Sequence, residues 1–263
     1  MRALVTGPRG FVGARIMDEL AGEAIPAPSL RDTCEEEIRR IVDVAKPDVI
    51  IHTAAMSDIS TCANDPQGSY IANVEIPVWL AKTGVKCVMF STDQVYSGCR
   101  GEGPYVEMDV APANLYAEHK MEMEQRTLEI NPETVHLRAT WMYDMPKYRV
   151  PNRGNFLIKM LRESNVTFSS AEHRAVTYVR EVAEHIRQAA MLPGGAYNYG
   201  SENTLTMKET AEWLKRELSL PVEIHDTYSD RHLWMDCSKI KSYGIDFCST
   251  VEGLQRCIRD YAL

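Results

Sequence analysis

Three glycines spaced three residues apart, in Gly7-Pro8-Arg9-Gly10-Phe11-Val12-Gly13, divide two very different stretches of chain. Before them, Arg2 to Thr6 is a short apolar run and reads as a strand. After them, Phe11, Val12, Ile16 and Leu20 recur at near-helical spacing as far as Ala21. Glycine at a strand–turn–helix junction permits a tight turn and lets bare backbone approach a pyrophosphate. The helix N-terminus then offers free N–H groups and the positive end of its dipole. Gly7, Arg9, Gly10, Phe11, Val12 and Gly13 are therefore expected to line a dinucleotide phosphate site. A plain turn with incidental glycines is the competing reading.

The rest of the chain alternates in the same way. Glu23 to Ala27 reads as a poor strand, weakened by Pro26 and Pro28 and so placed at an edge. Asp32 is expected to start the next helix, with Glu35 completing a capping box. Val49 to Ile51 and Val85 to Phe90 are continuous apolar runs, as in strands buried on both faces. Pro66 to Lys82 reads as a helix with a kink at Pro77, and Ala113 to Glu129 as another helix. Val135 to Leu137 is a further strand. Beyond it come Phe156 to Arg162, Val176 to Ala190, Ala196 to Tyr199, Met207 to Leu218, Val222 to His225, and a last helix over Val251 to Tyr261. The pattern predicts an α/β fold, a Rossmann doubly wound parallel sheet with a small C-terminal substrate-binding lobe. We expect the dinucleotide-binding domain over 1–143. The lobe, over 144–263, would interleave with late Rossmann elements.

The end of the second strand should carry an acid for a ribose hydroxyl. It reads Pro28-Ser29-Leu30-Arg31 instead. Ser29, Leu30 and Arg31 are expected at the adenosine end, and Arg9 with Arg31 could meet a 2′-phosphate. NADPH is the expected cofactor, with NADH still open. Tyr116 and Lys120 stand four apart on a helix and face one side. Thr92 closes a strand, after Ser91, at the edge where ligands bind. A tyrosine beside an ammonium, with a threonine hydroxyl to hold a carbonyl oxygen, can protonate a ketone as hydride reaches its carbon. In the loop after residue 143, Lys147, Arg149 and Arg153, with Arg174 farther on, could meet a diphosphate.

Charge excludes one class. The chain has 29 Lys+Arg against 37 Asp+Glu, a net charge of −8, so we expect no nucleic-acid partner. No apolar run reaches 18 residues, so no membrane span is expected. The 7 cysteines show no C-x-x-C spacing and fit free thiols in a cytoplasmic protein.

These motifs in this order resemble the extended short-chain dehydrogenase/reductases, and within them the dTDP-4-dehydrorhamnose reductase family. The resemblance runs through Thr6 to Gly13, Pro47 to Ala55, Asn73-Val74, Ser91 to Gly98, Pro104-Tyr105 and Tyr116 to Lys120. It continues in Arg138 to Tyr143, Asn155-Phe156, Thr177-Tyr178-Val179 and Asp236 to Lys239. It implies reduction of a 4-keto nucleotide sugar by Thr92, Tyr116 and Lys120, with Lys120 also holding the nicotinamide ribose. It implies that Ala54 and Ala55, with Ser91, line the cofactor groove and that Trp141 sits near the sugar or the nicotinamide. His119 departs from the usual pattern and is expected at solvent, with tuning of Lys120 as the other reading. Arg15 stands where some relatives bind a metal through glutamate, so no metal is expected. Gln94 replaces the acid of sugar dehydratases, and an amide cannot accept that proton. Two other readings stay open: a regulatory subunit that binds NADP, like that of methionine adenosyltransferase, and a nucleotide-sugar epimerase. A homodimer is also left open.

Overall fold

The computed structural model describes residues 1–145, 154–229 and 231–263. Lys147, Arg149 and Arg153, expected at a diphosphate, lie outside the described residues. The first half runs β1 (Ala3–Thr6), α1 (Phe11–Glu19), β2 (Ala24–Pro26), α2 (Glu35–Ala45), β3 (Val49–His52), α3 (Ile59–Asn64) and α4 (Pro66–Tyr70). A π-turn (Ile71–Glu75) leads to α5 (Ile76–Ala81), β4 (Lys86–Thr92), a 3-10 turn (Asp93–Tyr96), α6 (Leu115–Ile130) and β5 (Val135–Ala139). Then follow β6 (Trp141–Tyr143), α7 (Phe156–Arg162), β7 (Asn165–Ser169), β8 (Val176–Tyr178), α8 (Val179–Glu184) and α9 (Ile186–Ala189). The chain continues with β9 (Gly195–Tyr199), α10 (Met207–Glu217), β10 (Glu223–Thr227), α11 (Ser238–Lys241) and α12 (Thr250–Tyr261).

Six strands form one parallel sheet in the order β2-β1-β3-β4-β5-β9. Alternate residues of each strand serve opposite faces, and both faces are buried. Ala3, Val5, Ile51, Val88 and Leu137 pack on Ile16 and Leu20 of α1 and on Val182 and Ile186 of α8 and α9. Leu4, Ile50, Cys87 and Met89 pack on α2, α5 and α6 through Ile38, Leu80 and Met123. Chain order reverses between β1 and β3, so the crevice for a ligand opens there, at the carboxyl edge.

A separate apolar cluster lies after residue 142. Tyr143, Phe156, Phe168, Tyr178, Met207, Leu214 and Leu254 are its centre. Two small parallel pairs frame it, β6 with β8 and β7 with β10. β9 nonetheless returns to the main sheet, so the chain crosses back and forth.

Two local expectations need correction. Asp32 does not start α2; its backbone is left-handed, φ +63°. Cys34 is the N-cap, and its N–H donates to Glu37 at 3.1 Å. The irregularity in the 66–82 helix is a π-turn over residues 71–75, just ahead of Pro77, rather than a kink at the proline. The widened turn comes directly before the ring that lacks an N–H. The stretch from Val176 to Ala190 holds β8, which pairs with β6, and then the short helices α8 and α9.

Candidate active site

The glycine turn is built by contact with the next strand end. Gly7 has φ +64°, which only glycine adopts readily. A Cβ on Gly7 would stand 3.0 Å from Thr53 Oγ1 and 3.1 Å from Ala54 N, and one on Gly13 would overlap the Gly7 carbonyl oxygen. The wall is fixed in turn: Thr53 Oγ1 donates to Thr6 O at 2.7 Å, and Thr53 N donates to Thr6 Oγ1 at 3.2 Å. Gly10 caps α1 with no side chain. The result is a cradle of bare backbone facing the first turn of a helix, which fits a dinucleotide pyrophosphate. Phe11, Val12 and Ala54 are half-buried along it, and Ala55 is exposed. Arg9, Ser29 and Arg31 are exposed beside this edge, while Leu30 is buried.

On the far side of β3, strand β4 ends in Thr92. The Thr92 hydroxyl caps the 3-10 turn by accepting from Gln94 N at 3.1 Å. Asn114 caps α6 through Ala117 N at 3.0 Å, which puts Tyr116 in the first turn. Tyr116 and Lys120 are both buried. Burial raises the Tyr116 pKa well above its ordinary value; a hydrogen bond from Thr92 opposes this, and the Asp93 charge adds to it. A neighbouring ammonium alone would lower it. The Lys120 ammonium is engaged elsewhere, donating to Phe90 O at 2.8 Å. Burial brings Lys120 itself down to about 8, against the opposing charge of Glu124.

Beneath these groups runs a buried polar chain. Ser91 Oγ donates to Glu124 at 2.5 Å, and Arg138 holds Glu124 through Nε at 3.0 Å and Nη2 at 2.6 Å. Burial opposes the Glu124 charge, but these bonds prevail and keep its pKa low. Arg138 also donates to Tyr96, whose hydroxyl reaches Asn198 at 2.6 Å. Ser91 is thus placed next to the site with its hydroxyl already committed. Sequence reading did not assign this chain, because its members come from five separate segments.

Two further expectations change. His119 is buried, not at solvent; its Nδ1 meets Ser69 Oγ at 2.9 Å and its ring stands edge-on to Tyr70. Arg174 is not a surface cation for a diphosphate. It donates to Asp93 at 2.8 and 3.2 Å. Trp141 is half-buried, 5.4 Å from the Arg174 guanidinium and edge-on to Phe156. It lines an open groove of about 460 Å³ with Asn155, Ile158, Lys159 and Arg162. Arg15 is bound to buried Asp144.

An all-parallel sheet whose switch point carries a glycine cradle, with a Tyr–Lys helix against the next strand end, defines an extended short-chain dehydrogenase/reductase. Within that class the chain belongs to the RmlD substrate binding domain family, whose sequence model matches residues 1–232. It is 30% identical over 230 residues to a dTDP-4-dehydrorhamnose reductase of Burkholderia thailandensis, covering 80% of this chain and 74% of the relative. It is 26% identical over 280 residues to methionine adenosyltransferase 2 subunit beta of Pongo abelii, covering 93% and 83%. A crystal structure of dTDP-4-dehydrorhamnose reductase from Bacillus anthracis in complex with NADP shares the fold. Its TM-score is 0.86 at 23% identity, covering 98% of this chain and 99% of that one.

Proposed function

We propose that the chain is an NADPH-dependent reductase of a 4-keto nucleotide sugar. The observation that carries this is the burial of Thr92, Tyr116 and Lys120 together, across the switch point from the glycine cradle. NADPH, when bound, supplies the hydride. Gly7, Gly10 and Gly13 would hold its pyrophosphate, with Phe11, Val12, Ala54, Ala55 and Ser91 along the groove. Ser29, Leu30 and Arg31 would take the adenosine end, and Arg9 with Arg31 would favour a 2′-phosphate.

Thr92 donates to the substrate ketone oxygen. Tyr116 delivers the proton to that oxygen, and its raised pKa keeps it protonated for the task at neutral pH. Lys120 steadies the resulting phenolate and the nicotinamide ribose. Trp141 packs on the sugar, and Arg149 and Arg153 meet the diphosphate. In this reading, 1–143 holds the cofactor and 144–263 is the substrate lobe. We also propose a homodimer, which light scattering of the purified chain tests. The cytoplasm is the proposed compartment, supported by seven free cysteines. Among the described residues, no helix is long and apolar enough to cross a membrane.

The test is NADPH oxidation with dTDP-, GDP- and UDP-linked 4-keto sugars. Tyr116→Phe should cut turnover by about 10²–10⁴-fold while NADPH still binds. A variant as active as the parent would sink the catalytic assignment. One other reading has a specific support: the likeness to a regulatory subunit extends over 93% of this chain. Tight NADPH binding with no turnover of any keto sugar would favour it.

A further inference from the structure

Asp93 and Arg174 join the second lobe to the strand end that carries Thr92. Arg174 Nε donates to Asp93 Oδ2 at 2.8 Å, and Nη2 donates to Oδ1 at 3.2 Å. The two side chains are 1% and 14% exposed, carboxylate and guanidinium respectively. Arg174 is itself held in place. Its backbone bridges to Leu233, and its carbonyl accepts from Asn203 at 3.1 Å. Its guanidinium lies against Trp141.

Asp93 Oδ1 is contested. It receives the Thr92 hydroxyl at 3.3 Å and the Gln94 amide at 3.5 Å, besides Arg174 Nη2. The bond from Thr92 is long, as expected when a guanidinium has first claim on the oxygen. Without Arg174, a buried carboxylate would be left with those two weaker donors. It would draw the Thr92 hydroxyl in as a charge-assisted donor and turn it from the ketone. Its charge would also stand uncompensated beside Tyr116.

We propose that Arg174 is a positioning residue for the reduction. Acting through Asp93, it leaves the Thr92 hydroxyl free for the ketone oxygen and screens Tyr116 from a buried negative charge. This rests on the reductase reading above. The groups acting on Tyr116 are Asp93 on the 3-10 turn, Cys62 on α3 and Lys120 on its own helix. Lys120 is faced in turn by Glu124 on α6, Cys62, and His52 on β3. Of these, Asp93 is the one that Arg174 pairs with, so a change at Arg174 reaches Tyr116 through Asp93.

The experiment compares steady-state reduction across pH for the parent, Arg174→Gln, Arg174→Lys, Asp93→Asn and the double variant Asp93→Asn/Arg174→Gln. Arg174→Gln should lose about tenfold in kcat, with KM changed less than about threefold. Lys120, brought down to about 8, sets the high-pH limb, so that limb should stay in place and the readout is the split between kcat and KM. Arg174→Lys should recover part of kcat. The double variant should recover most of kcat, since the charge needing a screen is gone. A double variant no faster than Arg174→Gln, or an Arg174→Gln chain whose loss lies in KM, overturns the proposal. So does an Arg174→Gln chain that melts early but keeps its kcat, which would make the pair structural alone. Tyr116→Phe is run beside them. If it is inert and the Arg174 series is unchanged, this inference falls and the reductase reading stands. If it is fully active, both fall.

Discussion

The Lys120 ammonium lies 6.0 Å from the centre of the Tyr116 ring yet donates to the Phe90 carbonyl at 2.8 Å. One helical turn separates the two residues, so they share a face of α6. Lys120 is thus tied to the strand that presents Thr92, and the helix and strand are locked in register by a charged donor. The fold itself thus supplies a desolvated cation at the site.

That desolvation has a measurable consequence. The Lys120 pKa is lowered from 10.5 to about 8 by burial. Between these values the unfolded chain binds more protons than the folded one, so Lys120 makes stability rise with pH. We expect the parent to gain stability from pH 8 to pH 10.5 relative to Lys120→Met, in urea unfolding at each pH. Parallel pH curves for the two chains would contradict this. The same variant should lose turnover.

His52 acts at the other end of the pH scale. Its Nδ1 pairs with Thr6 Oγ1 at 2.8 Å, its Nε2 is buried with no partner among the described residues, and burial and then Lys120 lower its pKa to about 3. Its ordinary value is 6.5, so stability is lost as pH falls between the two. His52→Asn keeps an acceptor for Thr6 and removes the titration. Its acid-unfolding midpoint should therefore lie below that of the parent. His136, lowered to about 4 by burial, remains in both and gives the residual slope.

The cradle predicts a linked loss of stability and binding. In Gly13→Ala the new methyl meets the Gly7 carbonyl oxygen, and backbone must shift to admit it. We expect a cost of about 2–4 kcal/mol and a large fall in NADPH affinity, read by thermal melting and cofactor titration. A Gly13→Ala chain that melts and binds like the parent would show that the turn does not cradle phosphate.

Cofactor choice should rest on two exposed arginines. Arg9→Ala with Arg31→Ala removes both cations from the edge around Ser29, and NADPH affinity should fall about tenfold or more. NADH affinity should hardly change. Equal losses for both cofactors would reject the role.

How much of this could be read from residues alone depends on locality. Val49 to Ile51 and Val85 to Phe90 announced buried strands because both of their faces are covered. Thr92, Tyr116 and Lys120 were legible because strand end and helix spacing place them. Asn165 to Ser169 gave no such signal: two of its five residues are exposed, and among the described residues it pairs only with β10. His119 was misread because the burial comes from Ser69 and Tyr70, about 50 residues earlier. Asp93 and Arg174 stand 81 residues apart, and no periodicity links them. Asp32 looked like a cap by composition, but its backbone turns left-handed before α2 begins.

Arg15 of the first helix meets Asp144 and the hydroxyl of Tyr261, and Tyr261 in turn donates to Asp144 at 2.8 Å. The first and last of these residues are 246 positions apart. During synthesis α1 emerges long before α12, so this three-way junction cannot close until α12 has also left the ribosome. The cofactor half can gather its sheet early, but the buried Asp144 waits for Tyr261, which emerges far later. A nascent chain stalled before α12 would hold that carboxylate without the Tyr261 hydroxyl. Such a chain should be handled by chaperones and proteases as unfinished, even with its glycine turn already formed.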